Sequence, residues 1–281
     1  MAWLTEGGGW EGVLAAYGDG RFVPVCLVTA GVSAAVFLGL ALPLTLLAHL
    51  DPPRLRHLRV QGRPIPARRW AGRALKVYAL NGALSAGAMV AAWPLVRGSG
   101  VHAGPWPAAW AVAAQVAFLF VLDDALYYGL HRLLHTPWLY RRVHALHHRV
   151  TTPCALTGHY MHPLEFGAVS LLVMGPPLLL GVHVGVLWLW VALRQALAAL
   201  GHCGYQLPVD PLRLIPTYRG AAFHDFHHRR FRGNYASALD HLDRLLGTLA
   251  PGYAEDVARR RGARAGGRAP AHAHTAARSD R

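Results

Sequence analysis

The sequence predicts an all-α chain: a multi-pass transmembrane helical bundle with a histidine-rich di-metal site at its cytoplasmic face. Three observations predict it. Apolar residues are 53% of the 281 and charged residues only 15%, where an ordinary soluble domain carries about 25% charge. Several uncharged runs are long enough to cross ~30 Å of hydrocarbon as helices. Eighteen histidines are present, and most recur at helical spacing in one part of the chain. This composition excludes a disordered chain and argues against a soluble enzyme. The formal charge is +14, yet the arginines alternate with long uncharged runs. An anionic membrane surface fits that pattern better than nucleic acid, and no nucleic-acid partner is expected. Cys26, Cys154 and Cys203 form no CxxC and no disulfide framework.

The first span covers residues 25–50, the second about 77–96 and the third about 106–128. Residues 166–200 are too many for one crossing. Pro176 and Pro177 lie within them, and proline interrupts a helix, so a hairpin of two shorter helices is expected there. The residues before the first span include Glu6, Glu11 and Asp19, unlike the basic start of a cleaved signal peptide. The loop 49–76 holds Arg54, Arg56, Arg59, Arg63, Arg68, Arg69 and Arg73, whereas the next connection holds one arginine. The positive-inside rule therefore places that loop in the cytoplasm and residues 1–24 outside it. The membrane domain then covers 25–250, with everything after the hairpin cytoplasmic. Residues 251–281, rich in Ala, Gly and Arg, read as a basic disordered tail in which His272 and His274 are solvated.

Twelve of the histidines fall between His131 and His228. Three groups are regular: His131-x-x-x-His135, His144-x-x-His147-His148 and His224-x-x-His227-His228. Residues three and four apart share a helix face, so each group can aim its imidazoles at a metal. Eight imidazoles exceed one tetrahedral zinc and suit two metals. Such donors accept iron, zinc, copper or nickel and do not select among them. His162 and His202 are the best additional ligands, and His159 and His183 are weaker ones. Asp124, Asp225 and Asn234 are candidates to orient the ligand rings, as are Asp240 and Asp243. Tyr127 and Tyr128 read as interfacial aromatics, and no catalytic residue separate from the metal ligands is singled out.

The segments DALYYGLHRLLH (Asp124–His135), HALHH (His144–His148) and HDFHH (His224–His228) resemble the boxes of the fatty acid hydroxylase/sterol desaturase superfamily. HPLE at His162–Glu165, HCGY at His202–Tyr205, PLRLIP at Pro211–Pro216, FHDFHHRRFRGNYAS at Phe223–Ser237 and LDRLLGT at Leu242–Thr248 resemble the C-4 methylsterol monooxygenases within it. The likeness covers about residues 115–250. It implies a non-haem di-iron monooxygenase of sterol biosynthesis, using O₂ and NAD(P)H-derived electrons from a cytochrome b5 or ferredoxin-type carrier. The implied reaction oxidises a C-4 methyl group of a sterol-like lipid. The implied ligands are His131, His135, His144, His147, His148, His224, His227 and His228, completed by His202 or His162; zinc can replace iron in a purified form. Three features depart from that pattern: Leu197 and His159 stand where an acid is common, and His241-Leu242 replaces a double aromatic. Another lipid hydroxylase or desaturase, acting on a fatty acid, a carotenoid or the sterol ring, is the alternative. From a different class, a histidine-rich metal-binding or transport protein would distribute its histidines through the spans.

Overall fold

The uncharged runs form helices in the computed structural model, which describes residues 17–265 apart from 19 and 209. Five helices are long and apolar enough to cross a membrane: α1 (Val23–Leu50), α2 (Ala67–Val96), α3 (Ala109–Leu134) and, beyond the short α4 (Pro137–Arg142), α5 (Pro163–Leu180) and α6 (Val184–Gly201). Among the described residues there is no β-strand, only isolated bridges. Leu171, Leu179 and Trp110 are 72%, 89% and 77% exposed. Large apolar side chains bare on several helices suit hydrocarbon rather than water. The chain is a multi-pass membrane protein.

Alternate crossings bring the ends of α1, α3 and α6 and the starts of α2 and α5 to one pole. The bridge between Arg59 and Tyr205 lies at this pole, and the bridge between His102 and His183 at the other. α1 packs along α6, where Ala41, Ala48 and Ala199 are fully buried with Phe37; small residues let transmembrane backbones approach. Arg194 on α6 meets Asp123 on α3 at 2.7 Å, which balances a charge otherwise costly inside a bilayer. Over the histidine pole lie 3₁₀ turns at His144–Arg149 and Ala155–His159, then α7 (Ala221–Arg230), α8 (His241–Leu245) and α9 (Tyr253–Ala265).

Four sequence expectations are corrected. α2 begins at Ala67 instead of 77, so Arg68, Arg69, Arg73 and Lys76 are helical and the basic loop shrinks to 51–66. Arg69 and Arg73 reach over the Trp70 ring at 5.1 and 5.9 Å, covering apolar surface with their stems. α3 starts at Ala109, after Pro107, and continues past 128 to Leu134. The two helices expected in 166–200 are present as α5 and α6, but the double proline is not where they part: α5 runs through Pro176 and Pro177 and ends where Gly181 adopts φ 61°. Pro177 cannot bond the carbonyl of Val173, and Trp190 Nε1 from α6 supplies that bond instead, at 2.8 Å. Finally, the stretch read as a disordered tail opens with α9. Asp256 accepts from Arg229 at 3.1 Å and pairs with Arg259 and Arg260, while Tyr253 packs on Phe223 and Phe226. His272 and His274 lie outside the described residues.

Candidate metal centre

α3 delivers His131 from its last turn and His135 from its C-cap. His144, His147 and His148 sit on the 3₁₀ turn, and His224, His227 and His228 on α7. His202 caps α6. These nine rings form two groups: His131, His135, His144, His148 and His227 in one, and His147, His202, His224 and His228 in the other. Within each group the donor atoms lie within 4.8 Å of one another. Eight of the nine are buried, and His135 is half-buried.

The spacing of the Nε2 atoms is that of a coordination sphere. His135, His144, His148 and His227 form a closed ring with edges of 3.1, 3.0, 3.1 and 3.1 Å. A square with such edges has its centre about 2.2 Å from each corner, near the ~2.0–2.1 Å of a metal–imidazole bond. His131 Nε2 stands off this ring, 3.1 Å from that of His144. In the second group, His147 and His202 are 3.4 Å apart and His224 and His228 3.2 Å. A tetrahedron with such edges has its centre about 2.0 Å from each corner.

The outward nitrogens fix which way the lone pairs point. Nδ1 of His131 donates to the Tyr235 carbonyl at 2.7 Å, and that of His227 to the Gly233 carbonyl at 2.7 Å. His135 bonds the Phe231 carbonyl. His147 and His202 donate to the carbonyls of Tyr160 and Ala198, at 3.3 and 2.9 Å. His144 donates to Glu165 Oε1 at 2.8 Å. With Nδ1 protonated, Nε2 carries a lone pair, so each group converges lone pairs that would repel without a cation between them. Burial, reinforced by neighbouring imidazoles, holds His144, His147, His148, His224, His227 and His228 well below the usual histidine range. Burial likewise lowers His135 and His202 to about 4. Neutral rings are the form that binds metals, so the residues present fit two resident ions.

His162 joins neither group; its Nδ1 accepts from the Leu164 amide and caps α5. His183 caps α6 at the other pole in the same manner. His159 donates instead to Gln195 Oε1 at 2.6 Å. The polar residues expected around the rings hold backbone groups and side chains away from the ligand rings. Asp124 Oδ1 accepts from the amides of Ala238 and Leu239. Asp225 accepts from Gln61 and Arg229, tying the basic loop to α7. Asn234 holds the Phe223 carbonyl and the Ala250 amide, so it supports the loop whose carbonyls receive His131, His135 and His227. Asp243 accepts from the amides of Tyr235 and Ala236 in that loop, and Asp240 from Arg219 and Arg244. Glu165 is the one carboxylate on a ligand ring among the described residues, and it is absent from the site residues expected from the sequence. Its signal was available: it is the only charged residue on α5, and an acid facing an apolar span needs a partner.

Residues 116–248 match the fatty acid hydroxylase family. The chain carries a fatty acid hydroxylase family domain. Both ligand groups lie wholly within it. A methylsterol monooxygenase of Arabidopsis thaliana is 40% identical over 164 residues, 57% of this chain and 62% of the relative. A very-long-chain aldehyde decarbonylase of Oryza sativa subsp. indica is 41% identical over the same length and shares. A methylsterol monooxygenase of Aspergillus fumigatus is 42% identical over 151 residues, 52% of this chain and 50% of the relative. The chain thus spans less than two thirds of the length of these curated relatives. No solved structure matches it.

Proposed function

We propose that this protein is a membrane-bound di-iron monooxygenase that oxidises a C-4 methyl group of a sterol-like lipid. The observation that carries the reading is the pairing of nine converging imidazoles with a lipid-sized cavity. That cavity has a volume of about 780 Å³, within the ~300–1,000 Å³ usual for ligand sites. Its walls are mostly apolar, with Met89, Phe166, Val169, Met174 and Leu178 among them, and it reaches His202 and His224. The nine histidines named above would hold two metal ions. Imidazole donors alone leave the metal open; the family likeness supports iron. When bound, such ions supply the oxidising chemistry with O₂ that acid and base groups cannot.

The chain's own contribution is positioning and exclusion. α1, α2, α5 and α6 wall the cavity against water and offer a bilayer-dissolved substrate an apolar bed. The carbonyls of Gly233 and Tyr235 and the Glu165 carboxylate keep three ring planes fixed. The basic loop 51–66 lies at the same pole as the ligands, which supports a cytoplasmic site by the positive-inside rule. Exposed Arg141, Arg142, Arg149 and Arg232 beside the boxes suit an acidic electron carrier supplied from NAD(P)H. Histidines gathered at one pole disfavour ion transport through the spans.

The test is reconstitution with iron, a reductant and O₂, followed by mass spectrometry on 4-methylsterols, fatty acids, fatty aldehydes and carotenoids. Oxygen incorporated at the sterol C-4 methyl is expected. Turnover of fatty aldehydes alone would instead favour an aldehyde-decarbonylase activity, a reading supported by the Oryza sativa relative. Turnover of another lipid class would move the assignment elsewhere among lipid hydroxylases and desaturases.

A further inference from the structure

The two imidazole groups differ in what they face. Of the residues lining the lipid cavity, His202 and His224 belong to the four-imidazole group, and no member of the five-imidazole group is among them. The five are roofed by other side chains. Tyr140 and Tyr235 lie 5.5 and 5.1 Å from His135, and Phe231 lies 5.3 Å from His148. Ligand number differs in the same direction. Five nitrogens, four of them in a ring, leave little room at one metal, whereas four nitrogens leave an open position once coordination expands.

From this we infer that the four-imidazole group (His147, His202, His224, His228) is where substrate meets metal, and that the five-imidazole group is closed to lipid. The inference rests on the reading that the histidines hold two ions, but not on which lipid is oxidised. One face of α6 carries the path: Val191, Arg194, Gln195, Ala198, Gly201 and His202 all line the cavity, at the three-and-four spacing of a single helix face. Gly201 is the last lining residue before the ligand. A Cβ placed there would meet nothing within 4 Å, so a larger side chain would start in open space beside His202.

Cobalt(II) substitution reads the two sites separately, because four-coordinate cobalt absorbs visible light far more strongly than five-coordinate cobalt. The probe is 1-dodecylimidazole, whose tail suits the cavity and whose head is a metal donor. Added to the cobalt-loaded protein in micelles, it should lower the intense band by about twofold or more as that site gains a ligand, leaving the weak bands in place. Gly201→Leu should keep both cobalt ions and the probe-free spectrum while abolishing the response. His202→Ala should shift or weaken the intense band while leaving the weak bands in place; if that variant does not fold, Gly201→Leu still decides. A response confined to the weak bands, no response at all, or an undiminished response in Gly201→Leu would overturn the inference. Cobalt protein does not need to turn over, so these outcomes stand apart from the identity of the substrate.

Discussion

The segments His144–His148 and His224–His228 share one spacing on two different backbones. The first is a six-residue 3₁₀ turn, the second part of a ten-residue α-helix. Both nevertheless divide their rings alike. In each, the first and last histidines go to one group and the middle one crosses to the other. His144 and His148 join the five-imidazole group and lend His147 to the four. His224 and His228 join the four and lend His227 to the five. The adjacent histidines in HxxHH therefore interlock the two imidazole groups, because neighbouring residues diverge by about 100° on an α-helix and about 120° on a 3₁₀ turn. What differs is the anchoring of the rings. In the first segment His144 is held by a carboxylate and His147 by a carbonyl; in the second only His227 is held, by the Gly233 carbonyl, and Nδ1 of His148, His224 and His228 has no partner among the described residues.

The largest effects should come from breaking the interlock. Alanine at His147 or His227 removes a ring from the group that its own segment does not dominate. Each variant should lose at least about 100-fold in activity, more than the 10–100-fold typical of outer-shell changes. Metal analysis should show one ion lost preferentially: the four-imidazole ion in His147→Ala and the five-imidazole ion in His227→Ala. Equal loss of both ions in both variants would mean that the groups act as one site.

Next in size is the anchor present in only one segment. Glu165→Ala leaves His144 without its Nδ1 partner, and should weaken metal retention about 10–100-fold. Glu165→Gln keeps an acceptor and should recover most of it. The effect should fall on the five-imidazole ion, measured as its release rate to a chelator. Faster release of the four-imidazole ion would contradict the division into groups.

Legibility follows the same line as the anchoring. The spans were readable because hydropathy over twenty residues reports hydrocarbon directly, and the boxes because helical spacing aims side chains. Helix ends were less readable. α5 passes through Pro176 and Pro177 because Trp190, the seventh residue of the next span, reaches back to the freed carbonyl, a pairing that no local pattern reveals. His162 resembles a ligand by position but caps a helix. The allocation of nine rings to two groups was not readable at all, since it depends on where three distant segments meet. Asp124, Asp225 and Asn234 lie near the boxes in sequence, and the structure gives each a backbone or arginine partner instead of a ligand ring.

Acidification should affect metal-free and metal-loaded protein differently. Burial lowers His135 and His202 to about 4 in the fold, against ~6.5 in the unfolded chain. Between those values the unfolded chain binds more protons, so stability is full above ~6.5 and declines as pH falls towards 4. Bound metal competes with the proton and should delay that decline. Thermal melts of metal-free protein should drop steadily from pH 7 to 4.5, with the loaded form less sensitive. A flat metal-free profile would mean that these rings stay accessible to protons in the fold.

The smallest expected effect sharpens the comparison most. One loop, 231–235, supplies the carbonyls that receive His131, His135 and His227, all three in the five-imidazole group. Asn234 sits within it at φ 55°, in the left-handed region, where asparagine is tolerated better than most residues. Its side chain joins the Phe223 carbonyl to the Ala250 amide. Asn234→Ala loses both the bonds and the backbone preference; Asn234→Gly loses only the bonds, since glycine adopts that φ freely. Release of the five-imidazole ion to a chelator should quicken by about tenfold in the alanine variant and by less in the glycine variant. The four-imidazole ion should be unaffected in both, because its anchored rings, His147 and His202, depend on the carbonyls of Tyr160 and Ala198 instead. If glycine and alanine behave alike, the side-chain bonds rather than the turn conformation hold the loop in register with the metal.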